Sequence, residues 1–470
     1  MEPPETFSPS FLLSNLHLRE TGQSRCARIA PHTLNAIATS NDGLYQRDVK
    51  GHTGCVNSVE FSTSEKWVAS GGDDLRVVVW SVSDFQVNPN PQPIGVMDSR
   101  HTSNIFTIAF SKDDDRIYSG KSHAFIPFIR GLSGGNDCHF LIHDLLTTKR
   151  VRVHRLPGAI NFIETNVNIS SFSLQCFNSN SSLSMIKSCS LPRMTGNIRL
   201  FDMRDQSSAG SIVVEREEAG TAYCAKFNPY QSNLIAVCSQ DDNVGMFDVR
   251  KSDEPCCPTF PELESVMFVD WTELGDAFVG IRSQMKPFYY NILNGTFAEF
   301  KSANYRNTHT MKSCSYLKPG YLVTGSDNWD IFMWKVPKPS DIEKKDKKDK
   351  NVVCSEYGVL KGSRSIVNHV RFSHNNDMII SCGVEKIIKC WSAYGLAGAY
   401  RNPQRRRVLR QSEAPLEPAD SFEEDLNMLA MFDNLGNRRY ALEIFSDSSD
   451  DDDDVSIQSE ISDLTSSSSS

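Results

Sequence analysis

An all-β fold, a β-propeller of seven short-stranded sheets, is predicted by three observations on this 470-residue chain. Short apolar runs recur, broken by turns such as Gly71-Gly72 and Asp73-Asp74, as antiparallel strands joined by hairpins require. Each group of runs closes on an aromatic residue or a histidine: Trp80, His143, Phe201, Phe247, Tyr290, Trp334 and Trp391. The gaps between these positions are 63, 58, 46, 43, 44 and 57 residues, against a period of about 40 to 45 for one four-stranded blade. Three gaps fit, and three carry insertions.

The first unit is the clearest: Gly51-His52, then the runs Val56 to Phe61, Trp67 to Asp74 and Val77 to Trp80. An acid six residues before the closing position recurs as Asp74, Asp137 and Asp241, with Glu385 in the last unit, Asn328 in the sixth and Thr195 in the third. Ser363 stands where the last unit would repeat His52. On these residues the chain resembles the WD-repeat proteins over residues 44–395. The resemblance implies that His52, Asp74 and Trp80, with Asp137, Asp241, Trp334 and Trp391, tie strands together within blades and do not catalyse. It also implies that Leu44 to Asp48 supplies the outer strand of the last blade and so closes the ring.

Three stretches interrupt the repeat. Residues 121–134 include Phe125-Ile126-Pro127-Phe128-Ile129 and lie inside a hairpin where a few residues suffice. They read either as a functional loop or as a retained intron, since Gly120-Lys121-Ser122 and Leu132-Ser133-Gly134 can be encoded by splice-junction sequences. The Asn/Ser-rich run at 166–191 stretches the third unit and displaces its turn acid. The third insertion, 338–351, holds the mixed-charge run Lys344 to Lys350, read as a solvated loop.

Composition bounds the function. Hydrophobic residues make up 39% of the chain, yet no apolar run approaches the roughly 20 residues that span a bilayer. The start lacks the basic lead of a signal peptide. The thirteen cysteines are odd in number and scattered, with no Cys-x-x-Cys pair, which signals neither a disulfide framework nor a zinc site. An intracellular protein of the nucleus or cytoplasm is expected, without a membrane partner. The eight acids of residues 446–470 account for nearly all of the formal net charge of −9. The body is therefore close to neutral, and no direct nucleic-acid partner is expected.

Outside the propeller, residues 1–43 form an extension in which Phe11 to Leu18 suits a short amphipathic helix. Residues 396–445 join the basic cluster Arg401, Arg405, Arg406, Arg407 and Arg410 to a helical face of Met428, Met431, Phe432 and Leu435. Residues 446–470 are a disordered, acidic serine tail.

No P-loop, Gly-x-Ser-x-Gly or His-Glu-x-x-His motif is present, so an enzyme, a cofactor and a metal are not expected. An interaction module is. Two unit endings carry a residue that the propeller core does not require: Phe201-Asp202-Met203-Arg204 and Phe247-Asp248-Val249-Arg250. With these, the chain resembles the WD-repeat substrate receptors of cullin-4 RING ubiquitin ligases, whose repeats end in aromatic-Asp-hydrophobic-Arg. Gly54-Cys55-Val56-Asn57, Ser103-Asn104-Ile105-Phe106, Met311-Lys312-Ser313-Cys314 and Arg364 to Asn368 are similar to the factor-5 branch of those cullin-associated receptors. The resemblance implies a receptor bridging an unidentified protein substrate to the cullin-4 ligase adaptor, with Asp202, Arg204, Asp248 and Arg250 facing the adaptor. Both motifs carry Phe in place of the family's Trp and lose the indole N–H. Two alternatives stand beside this reading. The arginines could pair with neighbouring acids on the blade surface, and the chain could be a scaffold of chromatin or RNA assemblies that uses Arg401 to Arg410.

Overall fold

In the computed structural model, 27 strands among the described residues form seven blades around a ring, two of them joined at their outer edges into one eight-stranded sheet. The structure describes residues 44–400, apart from 100, 102, 122–137, 157, 166–171, 181–193, 203–210, 215–221, 240–242, 251–255, 257–259, 261–262, 319 and 338–350.

Counting outward from the ring axis as strands a to d, blade 1 is Val56–Phe61, Trp67–Gly72, Val77–Ser81 and Gly95–Val96. Blade 2 is Ile105–Phe110, Arg116–Lys121, Cys138–Asp144 and Arg150–Leu156. Blade 3 is Gly158–Thr165, Phe172–Asn180, Met194–Asp202 and Ser211–Val214. Blade 4 shows three strands among the described residues: Ala222–Phe227, Leu234–Ser239 and Asn243–Asp248. Blade 5 is Val266–Trp271, Ala277–Arg282, Phe288–Asn291 and Thr296–Lys301. Blade 6 is Cys314–Leu317, Tyr321–Gly325, Ile331–Lys335 and Asn351–Leu360. Blade 7 is Val367–Ser373, Met378–Gly383 and Ile387–Ser392. Its d strand, Tyr45–Lys50, comes from the other end of the chain and pairs antiparallel with Ile387–Ser392. Each a strand packs on the a strand of the next blade, and that of blade 7 packs on that of blade 1. The ring is closed.

All seven closing positions aligned from the sequence sit at one place in the blade. Each is the penultimate residue of strand c, opposite the second residue of strand b: Trp80 faces Val68, His143 Ile117, Phe201 Ser173, Phe247 Ile235, Tyr290 Phe278, Trp334 Leu322 and Trp391 Ile379. Trp80, Trp334 and Trp391 are fully buried there. The a strands expose their inner edges to the channel, and side chains cap them. Thr107 Oγ1 accepts Ile163 N–H at 3.0 Å, Asp270 Oδ2 accepts Tyr316 N–H at 2.8 Å, and the Ser315 hydroxyl donates to Val370 C=O at 2.8 Å. Unpaired edge groups are thus satisfied across the blade boundary.

The structure revises the sequence reading in three places. Phe172–Asn180, inside the run read as an insertion, is strand b of blade 3 and pairs in continuous register with Met194–Asp202. Its apolar residues are interleaved with Ser and Asn, which masked a strand in a polar run. A six-residue helix, α1 (Val82–Val87), forms the c–d connection of blade 1, where no helix was expected. The buried Arg47 holds it by donating to the C=O groups of Phe85 and Asn88. Strand d of blade 6 is also longer than a blade needs: Asn351 to Ser355 pair in parallel with Phe297–Lys301 of blade 5, zipping two outer edges together. The insertions at 122–134 and 338–350, the N-terminal extension, the Arg401 to Arg410 cluster, the Met428 to Leu435 face and the tail lie outside the described residues. Among the described residues no helix is long and apolar enough to cross a membrane.

Candidate functional site

The polar groups singled out in blade 1 form a chain of hydrogen bonds through its interior. Trp80 Nε1–H donates to Ser70 Oγ at 2.9 Å, Ser70 Oγ meets His52 Nε2 at 2.8 Å, and His52 Nδ1 lies 2.9 Å from Asp74 Oδ2. Asp74 also accepts the backbone N–H of Thr53 and of Arg76. Burial works to raise the Asp74 pKa, but the His52 bond and charge outweigh it and bring it down to about 2. Every member is spent on another member, and the arrangement holds strands together.

Other blades vary this theme. In blade 2, His101 Nε2 lies 2.8 Å from Ser119 Oγ, which lies 3.0 Å from His143 Nε2, so a second histidine replaces the tryptophan. Burial brings the His143 pKa down to about 4. His101 was not singled out in the sequence because Gly does not precede it. Its 18-residue separation from Ser119 equals that of His52 from Ser70 and was the available signal. In blade 7 Trp391 Nε1–H donates to Ser381 Oγ at 3.0 Å, and Glu385 reaches past the missing histidine to accept the Arg364 and Ser365 N–H groups. In blade 6 Asn328 keeps the turn, accepting Asp330 N–H at 3.2 Å, while Asp327 beside it takes the N–H groups of Thr308 and His309. Trp334 there donates to Lys301 C=O at 3.3 Å. In blade 4, where Phe247 has no N–H to offer, the fourth residue of strand b is Val237 in place of serine. The acceptor disappears with the donor. Gly245 makes room for the ring, since a Cβ there would meet Phe247 Cε2 at 2.7 Å. Asp137 and Asp241 lie outside the described residues.

The charged groups of the central channel are partnered within the protein. Lys226 pairs with Glu164 at 2.9 Å, Arg371 with Glu60 at 2.7 Å, and Asp270 is held by the N–H groups of Trp271 and Tyr316. Among the described residues no cluster of His, Cys, Asp and Glu could hold a metal.

The remaining candidate is the corner where strand c turns into strand d. In blade 4 Asp248 Oδ1 accepts the Arg250 backbone N–H at 2.9 Å, a side-chain-closed turn that directs the Arg250 side chain outward. The guanidinium folds back as a fork on Asp248, Nε to Oδ1 at 3.0 Å and Nη2 to Oδ2 at 2.6 Å. Arg250 is thus paired with a neighbouring acid, as the surface-pairing alternative holds. However, the fork uses two of the five guanidinium N–H groups, and the side chain is 68% exposed. The hydrogen bond to Asp248 raises the Arg250 pKa further, so the charge is permanent. The corner presents an oriented cation with three donors left over. In blade 3, Asp202 ends strand c at the equivalent position, while Met203 and Arg204 lie outside the described residues. Because strands alternate direction, the c–d corners share one face of the ring with the a–b turns, opposite the b–c turns that carry Asp74 and Asp327.

Comparison with known proteins places this geometry. The WD domain, G-beta repeat, matches residues 43–81 and 354–392, in blades 1, 6 and 7 and the closing strand. The chain is 30% identical to DDB1- and CUL4-associated factor 5 of Mus musculus over 437 residues, 88% of this chain and 42% of that protein. The Homo sapiens protein of the same name matches to the same extent. WD and tetratricopeptide repeats protein 1 of Mus musculus is 24% identical over 210 residues, 44% of this chain and 26% of that protein. The chain therefore spans about two-fifths of the length of the factor-5 relatives. A closed seven-bladed ring and the repeat match agree: the protein is a WD-repeat β-propeller, similar over 88% of its own length to DDB1- and CUL4-associated factor 5.

Proposed function

We propose that the protein is a substrate receptor of a cullin-4 RING ubiquitin ligase, a non-catalytic subunit acting in the nucleus or cytoplasm. It bridges the ligase adaptor, the DDB1 of the relatives' name, to a protein substrate for ubiquitination. The observation that carries this reading is the blade 4 corner, where Asp248 fixes an exposed Arg250 that the propeller core does not need. Charge-assisted bonds from the three remaining donors suit carboxylate or carbonyl groups on the adaptor. The sequence of blade 3 repeats the two residues as Asp202 and Arg204. Substrate then belongs on the other face, formed by the b–c turns and the d–a connections. The scaffold alternative rests on Arg401 to Arg410, and the similarity to DDB1- and CUL4-associated factor 5 favours the receptor.

The test is co-purification of DDB1 with the full chain and with an Arg204→Ala, Arg250→Ala variant. An interface arginine of this kind contributes about 2 kcal/mol or more, so the double variant is expected to retain less than roughly a tenth of the adaptor. Undiminished recovery of DDB1 with a folded double variant would remove the motif from the account.

A further inference from the structure

Among the described residues the exposed apolar side chains are distributed unevenly, and they gather on the side of the ring that presents Arg250. Among the described residues, five large hydrophobic side chains are more than three-fifths exposed: Leu146 at 91%, Leu293 at 81%, Val87 at 73%, Tyr230 at 68% and Leu274 at 66%. All five lie on the c–d and a–b side of the ring. Val87 ends α1 in the c–d connection of blade 1, Tyr230 and Leu274 sit in the a–b turns of blades 4 and 5, and Leu146 and Leu293 are at c–d corners. Of the b–c turns opposite, those of blades 1, 5, 6 and 7 are among the described residues, and they contribute only Met285, at 38%. Scattered single hydrophobics are ordinary on a protein surface. Confinement to one face, around a fixed cation, is the pattern of a protein interface.

The two leucines have a specific register. Blade 2 closes His143-Asp144-Leu145-Leu146 and blade 5 closes Tyr290-Asn291-Ile292-Leu293, in line with Phe247-Asp248-Val249-Arg250 of blade 4 and Phe201-Asp202-Met203-Arg204 of blade 3. A side chain of Asp or Asn at the end of strand c closes the corner in blades 2, 4 and 5. Asp144 Oδ1 accepts Thr147 N–H at 2.7 Å, Asp248 Oδ1 accepts Arg250 N–H at 2.9 Å, and Asn291 Oδ1 accepts Leu293 N–H at 2.9 Å. The fourth residue is displayed in each case, leucine in blades 2 and 5 and arginine in blade 4.

We propose that the adaptor contact is an arc over blades 2 to 5, in which Leu146 and Leu293 are apolar anchors on either side of Arg250. This rests on the receptor reading above. The partner surface that fits has acceptor groups for the guanidinium donors, flanked by apolar pockets on each side. A second copy of the chain fits less well, because self-association through this face brings arginine-bearing surfaces together. Tyr230 and Leu274, nearer the axis on blades 4 and 5, extend the same contact inward.

The experiment is the affinity of purified DDB1 for the full chain, for Leu146→Ala plus Leu293→Ala, for Arg250→Ala, and for Met285→Ala. Met285, in the b–c turn of blade 5 and 38% exposed, lies on the opposite face and serves as the control. The leucine pair is expected to weaken binding roughly tenfold or more, in the range of interface anchors, while Met285→Ala binds as wild type. Both leucines are exposed, so the variant is expected to fold, and an unchanged thermal midpoint verifies it. Binding weakened by Arg250→Ala but unchanged by the leucine pair overturns the inference and leaves the receptor reading intact. Lost self-association with unchanged DDB1 affinity overturns it as well, in favour of a second copy. A wild-type chain that does not bind DDB1 overturns both.

Discussion

Trp80→Ala lowers the stability of the propeller by about 4 kcal/mol, within the range for deleting a fully buried tryptophan. Trp80 is 0% exposed, and its ring centroid lies 5.9 Å from that of Phe85 on α1. The packing is close enough to require a glycine beside it, since a Cβ on Gly51 would meet Trp80 Cη2 at 2.3 Å. Truncation leaves a cavity between strands that no neighbour is placed to fill. It also takes the indole donor from Ser70, leaving that buried hydroxyl with His52 and Val78 C=O. The denaturant midpoint is the measurement. A loss below about 1 kcal/mol would mean that blade 1 is not held through this ring, contrary to the packing of a fully buried side chain. Trp80→Phe keeps most of the packing and should cost clearly less than the alanine.

Asp327→Ala is expected to cost about 3 to 5 kcal/mol, the range for removing one partner of a buried ion pair. The Lys312 side chain is 0% exposed and donates to Asp327, while Thr308 and His309 supply backbone and side-chain donors to the same carboxylate. Burial alone would raise the Asp327 pKa, but Lys312 and the His309 and Thr308 bonds outweigh it and hold the carboxyl well below the usual range. Burial lowers the Lys312 pKa, which marks the ammonium as dependent on this one carboxylate. The sign of the pH dependence follows. A depressed folded-state pKa contributes stability that is fully present above the ordinary value of 3.8 and is lost as the pH falls below it. Equilibrium unfolding at neutral pH of Asp327→Ala, beside Asp327→Ala with Lys312→Met, separates lost packing from stranded charge. The added methionine should recover most of the loss, and no recovery would contradict the assignment.

Much of the ring was legible because one register recurs. The closing positions align from Trp80 to Trp391 even where tryptophan becomes histidine, phenylalanine or tyrosine, since strand c needs a large side chain at one place while its polar atoms can be exchanged. Blade 4 shows how: Phe247 has no indole N–H, and Val237 replaces the serine that would receive one. What stayed hidden depended on distant pairing. Nothing local in Asn351 to Ser355 foretells a parallel ladder with Phe297–Lys301 some fifty residues away, and nothing in Arg47 foretells that it would cap α1. Phe172–Asn180 read as a polar insertion because a strand on this blade needs little more than register. The arginine endings were visible as an excess over what a blade requires. Their leucine counterparts were not, because an exposed leucine is unremarkable until the corner beneath it is seen to match.

Backbone amide exchange of the full chain, free and bound to DDB1, maps the adaptor contact onto the ring most directly. Slowed exchange is expected around the corners, at Asp144 to Thr147, Asp248 to Arg250 and Asn291 to Asn294. The b–c turns on the other face, Gly72 to Arg76 and Ser326 to Asp330, should exchange as in the free chain. Protection confined to those b–c turns, with the corners unchanged, would place the adaptor on the wrong face and contradict the account.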